Sequence, residues 1–150
     1  MQRETALKLK AAQARLKARG LPPAPILCAD TTVALGRRIL GKPADAQEAQ
    51  ATLTALSGRS HRVLTAVGVA MSSRRHASAI SQSKVQFAAL SPAVIAAYVD
   101  SGEPFGKAGA YAIQGRLAGW IAHIAGSYTG IMGLPLFETA HLLRLARVDC

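Results

Sequence analysis

The sequence predicts an α/β domain, and three observations carry that reading. Helical patterns and apolar, β-branched runs interleave along the chain. Residues 61–70, His-Arg-Val-Leu-Thr-Ala-Val-Gly-Val-Ala, have the composition of a central strand. The chain has 150 residues, half of them hydrophobic, which is one domain's worth of core with no repeat or low-complexity linker to divide it.

The elements follow in order. Residues 3–19 are strong helix formers with Ala6, Leu9, Ala12 and Leu16 on one face, and Gly20 and the prolines at 22, 23 and 25 end the helix. Residues 26–29, Ile-Leu-Cys-Ala, read as a short buried strand with Asp30 at its C-terminal end, where α/β folds gather ligands. Residues 33–41 form a short strand and a turn around Gly36. Asp45 is an N-cap with Glu48 in capping-box spacing, and its helix runs to Ser57 with Gly58 as the stop. After the 61–70 strand, polar residues 72–78 make a hairpin loop, and 79–90 form a second strand burying Ile80, Val85 and Phe87. Ser91-Pro92 starts a helix that reaches Asp100 and ends at Gly102. Residues 110–114 and 117–126 are further strands, the latter holding Trp120, Ile121 and Ile124. A loop with Gly130 and Gly133-Leu134-Pro135 precedes a last amphipathic helix, 136–146, on Leu136, Leu142, Leu143 and Leu145.

A formal net charge of +10 calls for a polyanionic partner or a very basic surface. Nucleic acid and a nucleoside triphosphate both qualify. Many of the cations lie in the first helix (Lys8, Lys10, Arg15, Lys17, Arg19), where such a stripe is usually a solvated face. Without a basic strand surface studded with aromatic residues, no stable nucleic-acid complex is expected. No apolar run is long enough for a bilayer span, and the charged start is not a signal peptide, so no membrane association is expected. The two cysteines, Cys28 and Cys150, make no disulfide framework or zinc pattern and read as reduced thiols in a cytoplasmic protein. Cys28, inside an apolar run, reads as core before nucleophile. A homodimer is expected.

A few residues could do chemistry. A carboxylate such as Asp30 at a buried strand's end can bind a divalent cation or orient water, although a cap or turn residue looks the same. Thr31 and Thr32 are ligand hydrogen-bonders or simply β-formers. Lys42, between Gly41 and Pro43, is a point charge for phosphate or a solvated loop lysine. Lys107 has the same two readings, and the small residues around it, Gly106, Ala108 and Gly109, favour the ligand one. The Gln114 amide could read a base edge or sit on a strand edge. His61 reads as structural, and His76, His123 and His141 lack metal-ligand spacing. Trp120 and Tyr128 could stack a base but fit a core or interface as well. There is no Walker loop and no dinucleotide glycine fingerprint.

Taken in order, several segments resemble the Maf family of nucleotide pyrophosphatases. They are Ala29-Asp30-Thr31, Gly41-Lys42-Pro43, Leu56-Ser57-Gly58-Arg59 with His61 and Val63-Leu64-Thr65, Ser101-Gly102-Glu103, Lys107 through Gly115, and Ile124 through Leu136. The resemblance implies a mixed sheet flanked by helices, similar to inosine triphosphate pyrophosphatases. It implies cytoplasmic enzymes that hydrolyse nucleoside triphosphates to the monophosphate and pyrophosphate with a divalent cation, magnesium or manganese. The Lys-Ala-Gly-Ala-Tyr-x-Ile-Gln-Gly form looks like the subgroup acting on dTTP and UTP. By resemblance Asp30 is the proton acceptor, Thr31 and Gln114 sit at positions tied to base selectivity, and Lys42 and Lys107 contact phosphates. Many relatives carry Asp where this chain has Gly106, so a carboxylate role there is lost or passes to Glu103, which joins Asp30 as a metal candidate. The family also begins with a strand and a Ser-x-Ser-x-Arg-Arg loop ahead of the 3–19 helix. This chain therefore reads as one Maf-like domain, N-terminally truncated relative to the family, with an unpaired strand edge expected where that segment would lie. The alternative readings are a nucleotide- or nucleic-acid-binding remnant without turnover, and a basic structural protein that dimerises through its apolar surface.

Overall fold

A computed structural model describes residues 1–72 and 74–149. The thiol expected at Cys150 and position 73 of the expected hairpin loop lie outside the described residues. Five strands, β1 (Ile26–Leu35), β2 (Arg38–Leu40), β3 (Ser60–Ala70), β4 (His76–Phe87) and β5 (Ile121–Ala125), form one sheet in the order β2-β1-β3-β4-β5. Five helices accompany it: α1 (Gln2–Ala18), α2 (Ala46–Leu56), α3 (Pro92–Asp100), α4 (Tyr128–Met132) and α5 (Leu136–Leu145). The α/β class is as expected. Where a mixed sheet was expected, each of the four strand pairs among the described residues is antiparallel.

β3 is the central strand, paired along its length with both β1 and β4. Its alternation assigns the layers. His61 and Val63 enter the main core with Val85, Phe87, Leu53, Leu56, Ile95 and Tyr111. Val67 and Val69, further along the same face, pack with Leu142 of α5. α1 packs against β1 and β3 through Thr5 and Leu9 rather than through Ala6, which is exposed. α2 starts where its capping residue dictates: the Asp45 side chain accepts a hydrogen bond from the Glu48 N–H at 2.8 Å. Such a cap contributes about 1 kcal/mol. The helix then buries Ala49, Leu53 and Leu56 completely, roughly 1.5–3 kcal/mol for each leucine.

Several expectations are corrected. β1 does not stop at Ala29. Its β-branched continuation Thr31-Thr32-Val33 stays paired with β3 as far as Ala34, so Asp30 lies mid-strand opposite Ala66. Pairing of β1 with β2 covers only Val33–Leu35, and the outer edge of residues 26–32 has no strand partner among the described residues. β4 runs from His76 and ends at Phe87. Val85 and Phe87 fix its odd-numbered residues inward, so Ile80 faces solvent. Residues 110–114 are not a strand. Gly109 and Ala110 take left-handed φ of +74° and +64°, and the segment turns. Its Tyr111 and Ile113 are β-prone because they are buried, not because they pair. The 117–126 region divides into a 3-10 turn at 116–120 and β5. The 130–133 region is not only loop: α4 forms there, with the Ser127 hydroxyl accepting from the Gly130 N–H at 3.0 Å. On α5 the buried residues are Thr139 and Leu142, whereas Leu136 and Leu145 are exposed.

Candidate active site

Five separate stretches of sequence, one of them Val63 of the central strand β3, converge on one cavity of about 310 Å³. That is the lower end of the range for small-ligand pockets. β1 contributes Ala29, Asp30, Thr31 and Val33. The turn before α2 contributes Lys42. The irregular 106–114 segment contributes Lys107 and Gln114 together with Tyr111 and Ile113, and α4 contributes Ile131 and Met132. Asp30, Thr31, Lys42, Lys107 and Gln114, each singled out from the sequence, all border this cavity. Glu103 does not border it. Both of its carboxylate oxygens accept from the Arg116 N–H, at 3.3 and 3.2 Å, which ties down the far end of the 106–114 segment.

The two lysine-bearing segments are held together by backbone. The Gly109 N–H donates to the Gly41 carbonyl at 3.2 Å, joining the residue before Lys42 to the turn after Lys107. Lys107 is itself braced, its ammonium donating to the Glu103 carbonyl at 2.8 Å. Only one of its three N–H donors is used in that bond, and the rest remain for a ligand.

Asp30 and Thr31 are neighbours in β1, so their side chains leave the sheet on opposite faces. Asp30 faces α1. Lys8 of α1 donates to its carboxylate at 2.6 Å and to the Ala29 carbonyl at 3.3 Å. The Lys8 hydrogen bond is the main reason the Asp30 pKa lies below the usual carboxylate value, and burial opposes it. Lys8 is the partner of Asp30 that the sequence reading missed, because it was counted in the solvated stripe of the first helix. Its adjacency to the buried Leu9 is the one local hint. Thr31 faces the other layer, where its hydroxyl meets that of Thr65 at 3.0 Å.

His61 lies behind the cavity. It is buried, bonded through Nε2 to the Tyr111 hydroxyl at 2.6 Å and stacked on Phe87. Burial pushes its pKa down to about 4. It is a neutral structural histidine, as expected. The Cys28 thiol is partly buried, and that burial raises its pKa, so it is no activated nucleophile. Tyr128 and Trp120 are not on the cavity wall. No helix among the described residues is long and apolar enough to cross a membrane.

A carboxylate, two lysines and an amide bordering one cavity on an α/β sheet are groups of the kind that suit phosphate. The chain belongs to the Maf family: the model described as Maf-like protein matches residues 1–146. It is 64% identical over 146 residues to a protein of Polaromonas sp. strain JS666 named dTTP/UTP pyrophosphatase, covering 97% of this chain and 72% of that relative. It is 60% identical over 148 residues to a protein of the same name from Ralstonia nicotianae, covering 99% and 72%. A further relative of that name, from Burkholderia pseudomallei, is 58% identical over 142 residues, covering 94% and 68%.

Proposed function

We propose that this protein is a nucleoside triphosphate pyrophosphatase that hydrolyses dTTP and UTP to the monophosphate and pyrophosphate. The observation that carries this is the convergence of Asp30, Lys42, Lys107, Thr31 and Gln114 on one cavity from three stretches of sequence. The names of its relatives support the same reading.

The chemistry is the displacement of pyrophosphate by water. The water oxygen forms a bond to the α-phosphorus, the bond from that phosphorus to the α–β bridging oxygen breaks, and pyrophosphate leaves with the electron pair. The water's proton goes to the Asp30 carboxylate. Lys42 and Lys107 offset the charge that develops on the phosphates. The Gly109–Gly41 bond keeps them together, and Lys107 is pre-set by the Glu103 carbonyl. Gln114 and Thr31 meet the base, a uracil-type ring having both donors and acceptors on its edge.

A divalent cation, magnesium or manganese, belongs with this reading. Among the described residues no three His, Cys, Asp or Glu side chains form a cage. A hard cation of this kind needs none, because one carboxylate, water and the substrate's phosphates suffice. The Asp30 carboxylate and the Ala29 carbonyl already hold one cationic group, the Lys8 ammonium, and such oxygen donors suit a hard ion. Asp30 would hold it, and when bound the ion withdraws charge from the phosphates. The carboxylate of Glu103, bonded to Arg116 and off the cavity wall, would not.

The Cys28 thiol fits a reducing compartment, and we place the reaction in the cytoplasm. A homodimer fits the exposed apolar side chains of Met132, Leu136 and Phe137. A second reading, nucleotide binding without turnover, draws on Lys8, whose ammonium occupies the carboxylate that has to take a proton. Pyrophosphate release from dTTP and UTP with added magnesium or manganese decides between them. Asp30→Asn should lower turnover by at least ~100-fold with the fold intact, as for loss of a general base. Near-normal release by that variant removes Asp30 from the mechanism.

A further inference from the structure

Thr65 stands in the middle of β3, fully buried. Its hydroxyl donates to the Gly130 carbonyl at 2.6 Å, and its oxygen lies 3.0 Å from that of Thr31. A threonine hydroxyl carries a single hydrogen. Because a carbonyl can only accept, that hydrogen is committed to Gly130, and in the contact between the two threonines Thr65 can only accept. Thr31 must be the donor. Its own hydrogen is therefore turned inward to Thr65, and what it presents to the cavity is oxygen lone pairs.

The anchor of this relay is fixed. The Gly130 N–H is held by the Ser127 hydroxyl at 3.0 Å, and its carbonyl also accepts from the Gly133 N–H at 3.1 Å. A Cβ at position 130 would stand 2.6 Å from the Ser81 hydroxyl oxygen, so only glycine lets α4 come this close to the sheet.

We propose that Thr65 is a positioning residue that sets the hydrogen-bond polarity of the base site. Through it, Thr31 presents only an acceptor and selects a ring with an N–H at the facing position. Uracil and thymine carry that hydrogen on N3, whereas cytosine has a bare acceptor nitrogen there. A site that commits a buried polar group in this way rejects the mismatched ligand because both groups stay unpaired. The proposal rests on the pyrophosphatase reading for the identity of the ligand and adds the residue that enforces its choice of base.

The test compares affinities for the α,β-methylene analogues of UTP and CTP, measured by calorimetry, beside turnover of UTP and CTP. The wild type should favour the uridine analogue by at least ~10-fold, the effect of one hydrogen bond lost to an unpaired group. Thr65→Val, nearly isosteric, frees the Thr31 hydrogen to turn toward the cavity and should collapse that ratio toward one, while Thr65→Ser retains it. If Thr65→Val fails to fold, Thr31→Val keeps the bond from Thr65 to Gly130 and should collapse the ratio by itself. Equal wild-type affinities, an unchanged ratio in either valine variant, or a lost ratio in Thr65→Ser overturns the proposal. Selective binding without any turnover sustains it and sinks the catalytic reading instead. A wild type that binds neither analogue overturns both.

Discussion

Gly109 joins the stability of the fold to the grip on the substrate, and replacing it with alanine separates the two contributions. The residue is buried with φ at +74°. A left-handed conformation costs an L-residue about 1–2 kcal/mol. A Cβ would also stand 2.9 and 3.0 Å from the two Cγ atoms of Val33 and 3.1 Å from its Cβ. Overpacking of that kind costs about 1–3 kcal/mol. Roughly 0.4–1 kcal/mol returns, because alanine has less freedom than glycine in the unfolded chain. The net loss for Gly109→Ala is about 1–5 kcal/mol, or a melting temperature lower by roughly 2–18 °C for a chain of this size. The two closest contacts are with the Val33 Cγ atoms, so the pair Val33→Ala/Gly109→Ala should show a favourable coupling of up to about 3 kcal/mol, while the backbone term remains. Denaturant titrations of the two single variants and the double variant measure this directly. The Gly109 bond to Gly41 also ties the Lys42 and Lys107 segments, so KM for UTP should rise in Gly109→Ala. A Gly109→Ala variant as stable as the wild type, or a cycle without coupling, refutes the reasoning.

Three further outcomes are expected. Lys8→Met removes the chief cause of the depressed Asp30 pKa, so the acid limb of kcat/KM should move to higher pH, and a limb that stays in place breaks the link between the pair and catalysis. His61 falls from its usual 6.5 to about 4 on folding. The unfolded chain therefore binds the extra proton between those values, and the stability present above pH 6.5 declines by about 3 kcal/mol as pH falls toward 4. Melting curves of His61→Gln should be flatter across that window, and an equally steep decline would place its cause elsewhere. Binding to single-stranded DNA should be weak and vanish near physiological salt, a steep counterion effect, and tight binding there would favour a nucleic-acid role.

Local chemistry was legible in the sequence. The caps at Asp45 and Ser91 and the central strand each depend on near neighbours and were found where expected. Contacts between distant residues were not. The place of Asp30 in mid-strand depends on how far β3 pairs with it, and its partner Lys8 lies 22 residues away on another element. The β-prone look of Tyr111 and Ile113 misled, because burial enriches the same residue types as pairing does. α4 was missed because two glycines within a few residues read as loop, whereas Gly130 lies in the helix and only Gly133 ends it.

The bare edge of β1 has a consequence for solubility. Residues 26–32, Ile-Leu-Cys-Ala-Asp-Thr-Thr, have an outer edge without a strand partner among the described residues, along a strip that is apolar or β-prone apart from one charge. Such a strip is a template for the strand of another molecule. Asp30 is that charge, and Lys8 lies across it, so the ion pair acts as a gatekeeper against fibril-like stacking. Asp30→Asn and Lys8→Met each take away half of that guard, and in both variants the drive toward intermolecular β-pairing rises together with the change in chemistry. Light scattering alongside the kinetics separates the two, because clumping grows with protein concentration whereas a lost proton acceptor slows every molecule alike.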